Sequence, residues 1–129
     1  MSEMSKEELK KRTQQFTLRV IHLAGALPEN AVGRAIANQV IRSGTSVGAN
    51  YRAALCARSS KDFINKIGVV LEESDESVFW MELIVEGKVM PENRVSSLLQ
   101  EANELTAIFA ATHKTLKANS RRKNSNHNS

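Results

Sequence analysis

Apolar residues recur at alternating steps of three and four along four separate stretches of the chain, the spacing that places side chains on one face of an α-helix. The first seam is Leu9, Thr13, Phe16, Val20, Leu23 and Leu27, and it stops at Pro28. The second, interrupted by polar groups, is Ile36, Val40, Ser43, Val47, Asn50 and Ala54. The third runs Ile64, Ile67, Leu71, Ser74, Val78, Met81 and Val85, between a Ser60 that can cap its start and a Gly87 that can end it. The fourth is Val95, Leu98, Ala102, Leu105, Phe109, Thr112 and Leu116, and Pro91 and Glu92 before it suit a first helical turn.

These seams predict helices over about residues 5–27, 31–56, 60–87 and 92–118. No stretch alternates with the two-residue period of a strand, so the fold class is all-α. Short connections make consecutive helices antiparallel neighbours, and an up-down-up-down four-helix bundle with crossing angles of about 20° follows. Residues 119–129 are nearly all Asn, Ser and basic, so a disordered polar tail is expected there.

The second helix is weak on propensity. Arg42 to Ala53 includes Gly44 and Gly48, each costing about 1 kcal/mol against alanine, and the β-branched Thr45 and Val47. Gly44 and Gly48 share a face, where missing side chains would let a neighbouring backbone approach. The same glycines do not make a phosphate-binding loop, because the spacing is too short and Ala49 follows where Lys is needed. Asn50 and Ser74 occupy seam positions and require hydrogen-bond partners. Arg42, Ser46 and Asn50 share one face, as do Glu73 and Glu76 on the third helix, so a polar layer between helices two and three is expected, its purpose being to fix register.

The chain has 129 residues, enough for one domain with a modest core. Its formal charge is +4, but five of the 18 Lys and Arg (Lys114, Lys117, Arg121, Arg122 and Lys123) lie near the end, leaving 13 against 14 Asp and Glu. That concentration offers an electrostatic footprint for RNA or DNA, read without sequence preference. No apolar run reaches a membrane span or resembles a leader, and the single Cys56 reads as a small buried apolar group, so a cytoplasmic protein is expected.

No catalytic constellation is legible. The acids of the third helix lack the Glu-x-x-His partners of a di-metal bundle, and no nucleophile lies beside a base. The reading is therefore no enzyme, no cofactor and no metal. Trp80 and Leu83 lie off the third seam, and an outward tryptophan predicts an interface with a second copy or with another protein.

The run from Gln39 to Ala53, then Ala57 to Ile64, Glu72-Glu73-Ser74-Asp75-Glu76 and Trp80-Met81-Glu82-Leu83, closely resembles the four-helix bundle family encoded in intervening sequences of the 23S ribosomal RNA gene. The pattern Arg-Ser-x-x-Ser-x-x-Ala-Asn, carried by Arg42, Ser43, Ser46, Ala49 and Asn50, is its most specific part, and the similarity spans roughly residues 14–116. The resemblance implies a left-handed antiparallel bundle that assembles into a ring-like pentamer. A related branch, the accessory proteins of diversity-generating retroelements, resembles it in fold and implies basic barrels that bind nucleic acid and a reverse transcriptase. This chain departs from that branch in its near-neutral body and basic end, so binding through the tail is expected to be weak.

Overall fold

The computed structural model describes residues 4–127, which form four α-helices: α1 (Lys6–Gly25), α2 (Ala31–Leu55), α3 (Ser60–Glu86) and α4 (Ser96–His127). A single 3-10 turn, Glu92–Arg94, precedes α4. Among the described residues there is no strand.

Helix starts are set by side-chain caps. Ser5 accepts from the Glu8 N–H at 3.1 Å, Asn30 from Gly33 at 2.8 Å, and Ser59 from Asp62 at 3.1 Å, each satisfying a donor that the first turn leaves without a partner. The third cap is Ser59 rather than the expected Ser60, which is the first helical residue. At the other end of α3, Gly87 remains right-handed, and Lys88 at φ 53° makes the left-handed exit, with the Val89 N–H closing on Ile84 O at 3.0 Å.

Each helix runs antiparallel to its neighbour. Gly44 faces Val20 and Gly48 faces Thr17 across α1 and α2; Ser43 meets Ser77 across α2 and α3; Ser74 meets Thr106, and Gly68 meets His113, across α3 and α4. Arg12 pairs with Glu101, and Arg19 donates to Ser97, where α4 returns to α1. This last side is the least extensive of the four. The core it encloses holds the whole first seam, with Phe16, Val20, Val47, Val70, Met81, Ile84, Leu105 and Phe109 almost without exposure. Burying such side chains stabilises the fold by about 1.5–3 kcal/mol apiece.

The α1–α2 contact is tight at two glycines. A methyl group built on Gly44 would lie 2.5 Å from Val20 Cγ1, and one on Gly48 would lie 2.7 Å from Thr17 Oγ1. Thr17 Oγ1 lies 3.2 Å from Gly44 O, so a side chain on α1 bonds the backbone of α2 directly.

The chain end departs from expectation. Residues 119–127 continue α4 as helix instead of forming a disordered tail; Asn128 and Ser129 lie outside the described residues. Once a helix is nucleated by packing, each further residue costs little, and no Gly or Pro interrupts the run from Lys114 to His127.

Candidate nucleic-acid interface

The N-terminus of α1, the α2–α3 turn and the C-terminal part of α4 meet at one end of the bundle, and each brings cations. Lys6, Arg58, Arg122 and Lys123 line an open groove there of about 770 Å³, together with Leu55, Phe63, Ile64 and Leu116 and the hydroxyls of Ser59 and Ser60. No carboxylate lines it. Asp62, in the first turn of α3, is already engaged: it accepts from Lys66 Nζ at 2.7 Å and from the Arg58 N–H at 3.3 Å, and these bonds hold its carboxyl below the usual range.

Among the described residues the ion pairs use Arg12, Arg42 and Lys66, so the four groove cations carry no carboxylate partner. Lys6 Nζ stands 5.2 Å from the centre of the Phe63 ring. The first turn of α3 adds the partial positive charge of a helix N-terminus.

Of the five cations singled out near the chain end, Arg122 and Lys123 face this groove, whereas Lys114, Lys117 and Arg121 do not line it. Spacings of three and four put those three on one exposed face of α4. Arg52 in the last turn of α2 and Lys61 in the first of α3 add charge to the same end. Lys6 and Arg58 were not legible as site residues, because they are far from the tail in sequence and only the antiparallel return of the helices brings them together. The charge balance of the body is near neutral in total; Glu72, Glu73, Asp75, Glu76, Glu82 and Glu86 lie further along α3, away from the groove, while Glu7 and Glu8 in the first turn of α1 and Asp62 in that of α3 lie at the groove end.

The polar layer between α2 and α3 has different members from those expected. Arg42 does bridge to α3, donating to Glu73 at 3.1 Å and to Glu76. Ser46 and Asn50 do not complete it. The Asn50 amide donates to Ser46 O one turn back within α2, at 2.9 Å, a local bond that serves its donor without a partner on α3. Buried hydroxyls join α2 to α3 instead: Ser43 donates to Gln39 O at 2.9 Å and accepts from Ser77 at 3.1 Å.

The outward tryptophan is also corrected. Trp80 is half-buried and packs against the core, its indole N–H enclosed without a partner, and Leu83 is half-buried too. Phe79, one step further round the helix, is the exposed aromatic at 52%, its ring edge-on to Trp80 at 5.0 Å. Cys56 is exposed rather than buried, since it caps α2 beyond the last core turn. Among the described residues no three His, Cys, Asp or Glu converge as metal ligands, and no helix is long and apolar enough to cross a membrane.

Residues 5–111 match the family model of the 23S rRNA-intervening sequence protein. The chain belongs to that family. A solved structure from the S23 ribosomal protein family of Bacteroides thetaiotaomicron, a protein of unknown function, is similar to this 23S rRNA-intervening sequence family member: 30% identical, with a TM-score of 0.79 over 86% of this chain and 99% of that one. A search of curated proteins gave no match. The family match ends at residue 111, so Leu116, Arg122 and Lys123, which form one wall of the groove, lie beyond it.

Proposed function

We propose that this 23S rRNA-intervening sequence family member is a non-enzymatic, self-associating helical scaffold of the cytoplasm that holds nucleic acid by its backbone on the basic end of the bundle. The observation that carries this reading is the groove at that end: four cations from three parts of the chain, no lining carboxylate, and the positive pole of α3. Phosphate contacts of this kind supply affinity without sequence information, and they weaken steeply as salt rises. A subunit with so few contacts binds weakly, and repetition of the end around an oligomer raises the avidity. The pentamer implied by the resemblance is the assembly proposed.

The test is a mobility titration of full-length protein and of residues 1–118 against a nucleic acid, at two salt concentrations, with mass in solution measured in parallel. Truncation and added salt should each weaken binding. Equal shifts under all conditions would remove the tail from the mechanism, and a monomeric mass would remove the scaffold.

A second reading is a protein-binding adaptor without nucleic-acid contact. It rests on Phe79, whose exposure beside Trp80 and Leu83 leaves an aromatic patch on the outer face of α3. Phe79→Ser separates the two: loss of the oligomer with nucleic-acid binding reduced only through avidity assigns the patch to self-association. Unchanged mass leaves the patch for another protein.

A further inference from the structure

We infer that the end groove takes an unpaired nucleotide, with its base against Phe63 and its flanking phosphates on the surrounding cations. This rests on the nucleic-acid reading above and specifies the class of strand bound.

A surface that binds only phosphates needs cations and little else. This groove has in addition an apolar floor, in which Leu55, Phe63, Ile64 and Leu116 are each only half-buried. Its occupant must therefore present an apolar face and negative charge side by side. The cations also come from separate elements, Lys6 from α1, Arg58 from the α2–α3 turn, and Arg122 and Lys123 from α4. A nucleotide inside a strand has this form, a flat base with a phosphate on either side of its sugar. The groove volume, about 770 Å³, falls in the range of small-molecule sites.

A base in a duplex is stacked on its neighbours and cannot reach such a floor, whereas one in a single strand can. Low aromatic content argues against a continuous stacking platform, but a single ring placed among cations suffices for one base. Lys6 above the same ring holds a charge beside the stacked base.

The experiment compares three labelled probes on the full-length protein by fluorescence anisotropy: an oligoadenylate of about ten nucleotides, the same backbone with abasic sites, and an RNA duplex of equal length. The single strand should bind about 10-fold or more tighter than the abasic strand, and Phe63→Leu, which keeps an apolar side chain, should lower its affinity about 5- to 100-fold. Phe63→Trp should restore it, while binding of the abasic strand stays the same in all three proteins. Equal affinity for the three probes, with no effect of Phe63→Leu, overturns the base site and leaves backbone binding standing. Absence of binding to any probe overturns both. Tighter binding of an acidic, leucine-rich peptide in competition with oligoadenylate would make the occupant a protein segment and overturn the proposal as well.

Discussion

Gly44→Ala is expected to destabilise the bundle even though it replaces a poor helix former with the best one. The new methyl carbon would lie 2.5, 2.7 and 2.9 Å from Val20 Cγ1, Cγ2 and Cβ. Carbon atoms rest comfortably at about 3.5–4.0 Å, so α1 and α2 must part by about 1 Å. Parting also stretches the Thr17 to Gly44 hydrogen bond, which is 3.2 Å long. Overpacking of this kind costs about 1–3 kcal/mol, against a propensity gain of about 1 kcal/mol, and a net loss of up to about 2 kcal/mol follows. Gly48→Ala meets Thr17 Oγ1 at 2.7 Å, which can turn away only by giving up its bonds to Thr13 O and Gly44 O, so it too should destabilise, through the loss of those bonds. Gly25→Ala has no heavy atom within 4 Å and should be neutral or stabilising. Urea unfolding followed by circular dichroism, at one fixed protein concentration, gives all three values. Val20→Ala supplies the internal check: it removes the two nearest clashing carbons, Cγ1 and Cγ2, and leaves only Cβ, so the double variant should be more stable than the sum of the singles by about 1 kcal/mol. A Gly44→Ala protein as stable as Gly25→Ala, or strict additivity with Val20→Ala, would refute close backbone approach as the reason for glycine there.

Two further outcomes follow from buried or half-buried groups. Arg12 and Glu101 form a two-pronged pair at 2.7 and 2.8 Å between α1 and α4, and the pair raises the guanidinium pKa, chiefly through that bond to Glu101. Arg12→Ala should cost about 1–3 kcal/mol in urea unfolding, because it removes a charge-assisted bond on the least extensive side of the bundle. Burial, and secondarily Glu7, pushes the Tyr51 phenol up from its ordinary value, so folding stability from this group is whole below about pH 10. It should fall as pH rises beyond that, where the unfolded chain releases the proton and the folded one keeps it; Tyr51→Phe should reduce this alkaline loss in pH-dependent thermal unfolding.

Much of the fold was legible because burial follows helical period. Every member of the first seam, from Leu9 to Leu27, is buried, and so are Val95, Leu98, Ala102, Leu105 and Phe109 of the fourth. The middle helices were read more narrowly than they pack. Tyr51, Val70, Ser77 and Ile84 are buried outside the strict seams, since α2 and α3 each contact two neighbours and need a wider stripe. Choosing between Phe79 and Trp80 was beyond periodicity, because adjacent residues differ by only about 100° and both lie away from the seam centre. The helical course of residues 119–127 was misread from composition, which measures how little those residues can bury and not whether a packed helix already precedes them. Half of the candidate groove was visible as the basic chain end. Lys6, Arg58 and Phe63 were hidden because their proximity to Arg122 is a product of topology.

The claim that the basic end holds nucleic acid is tested most directly by the salt dependence of single-strand binding to the full-length chain and to a variant with Arg58, Arg122 and Lys123 all changed to Gln. Each phosphate contact on a single strand contributes a slope of about −0.7 in a plot of log affinity against log salt. The wild-type chain should therefore show a steep fall, and the variant a slope shallower by about 2 with weaker binding throughout. Identical slopes and affinities for the two proteins would contradict the assignment of this end as the binding surface.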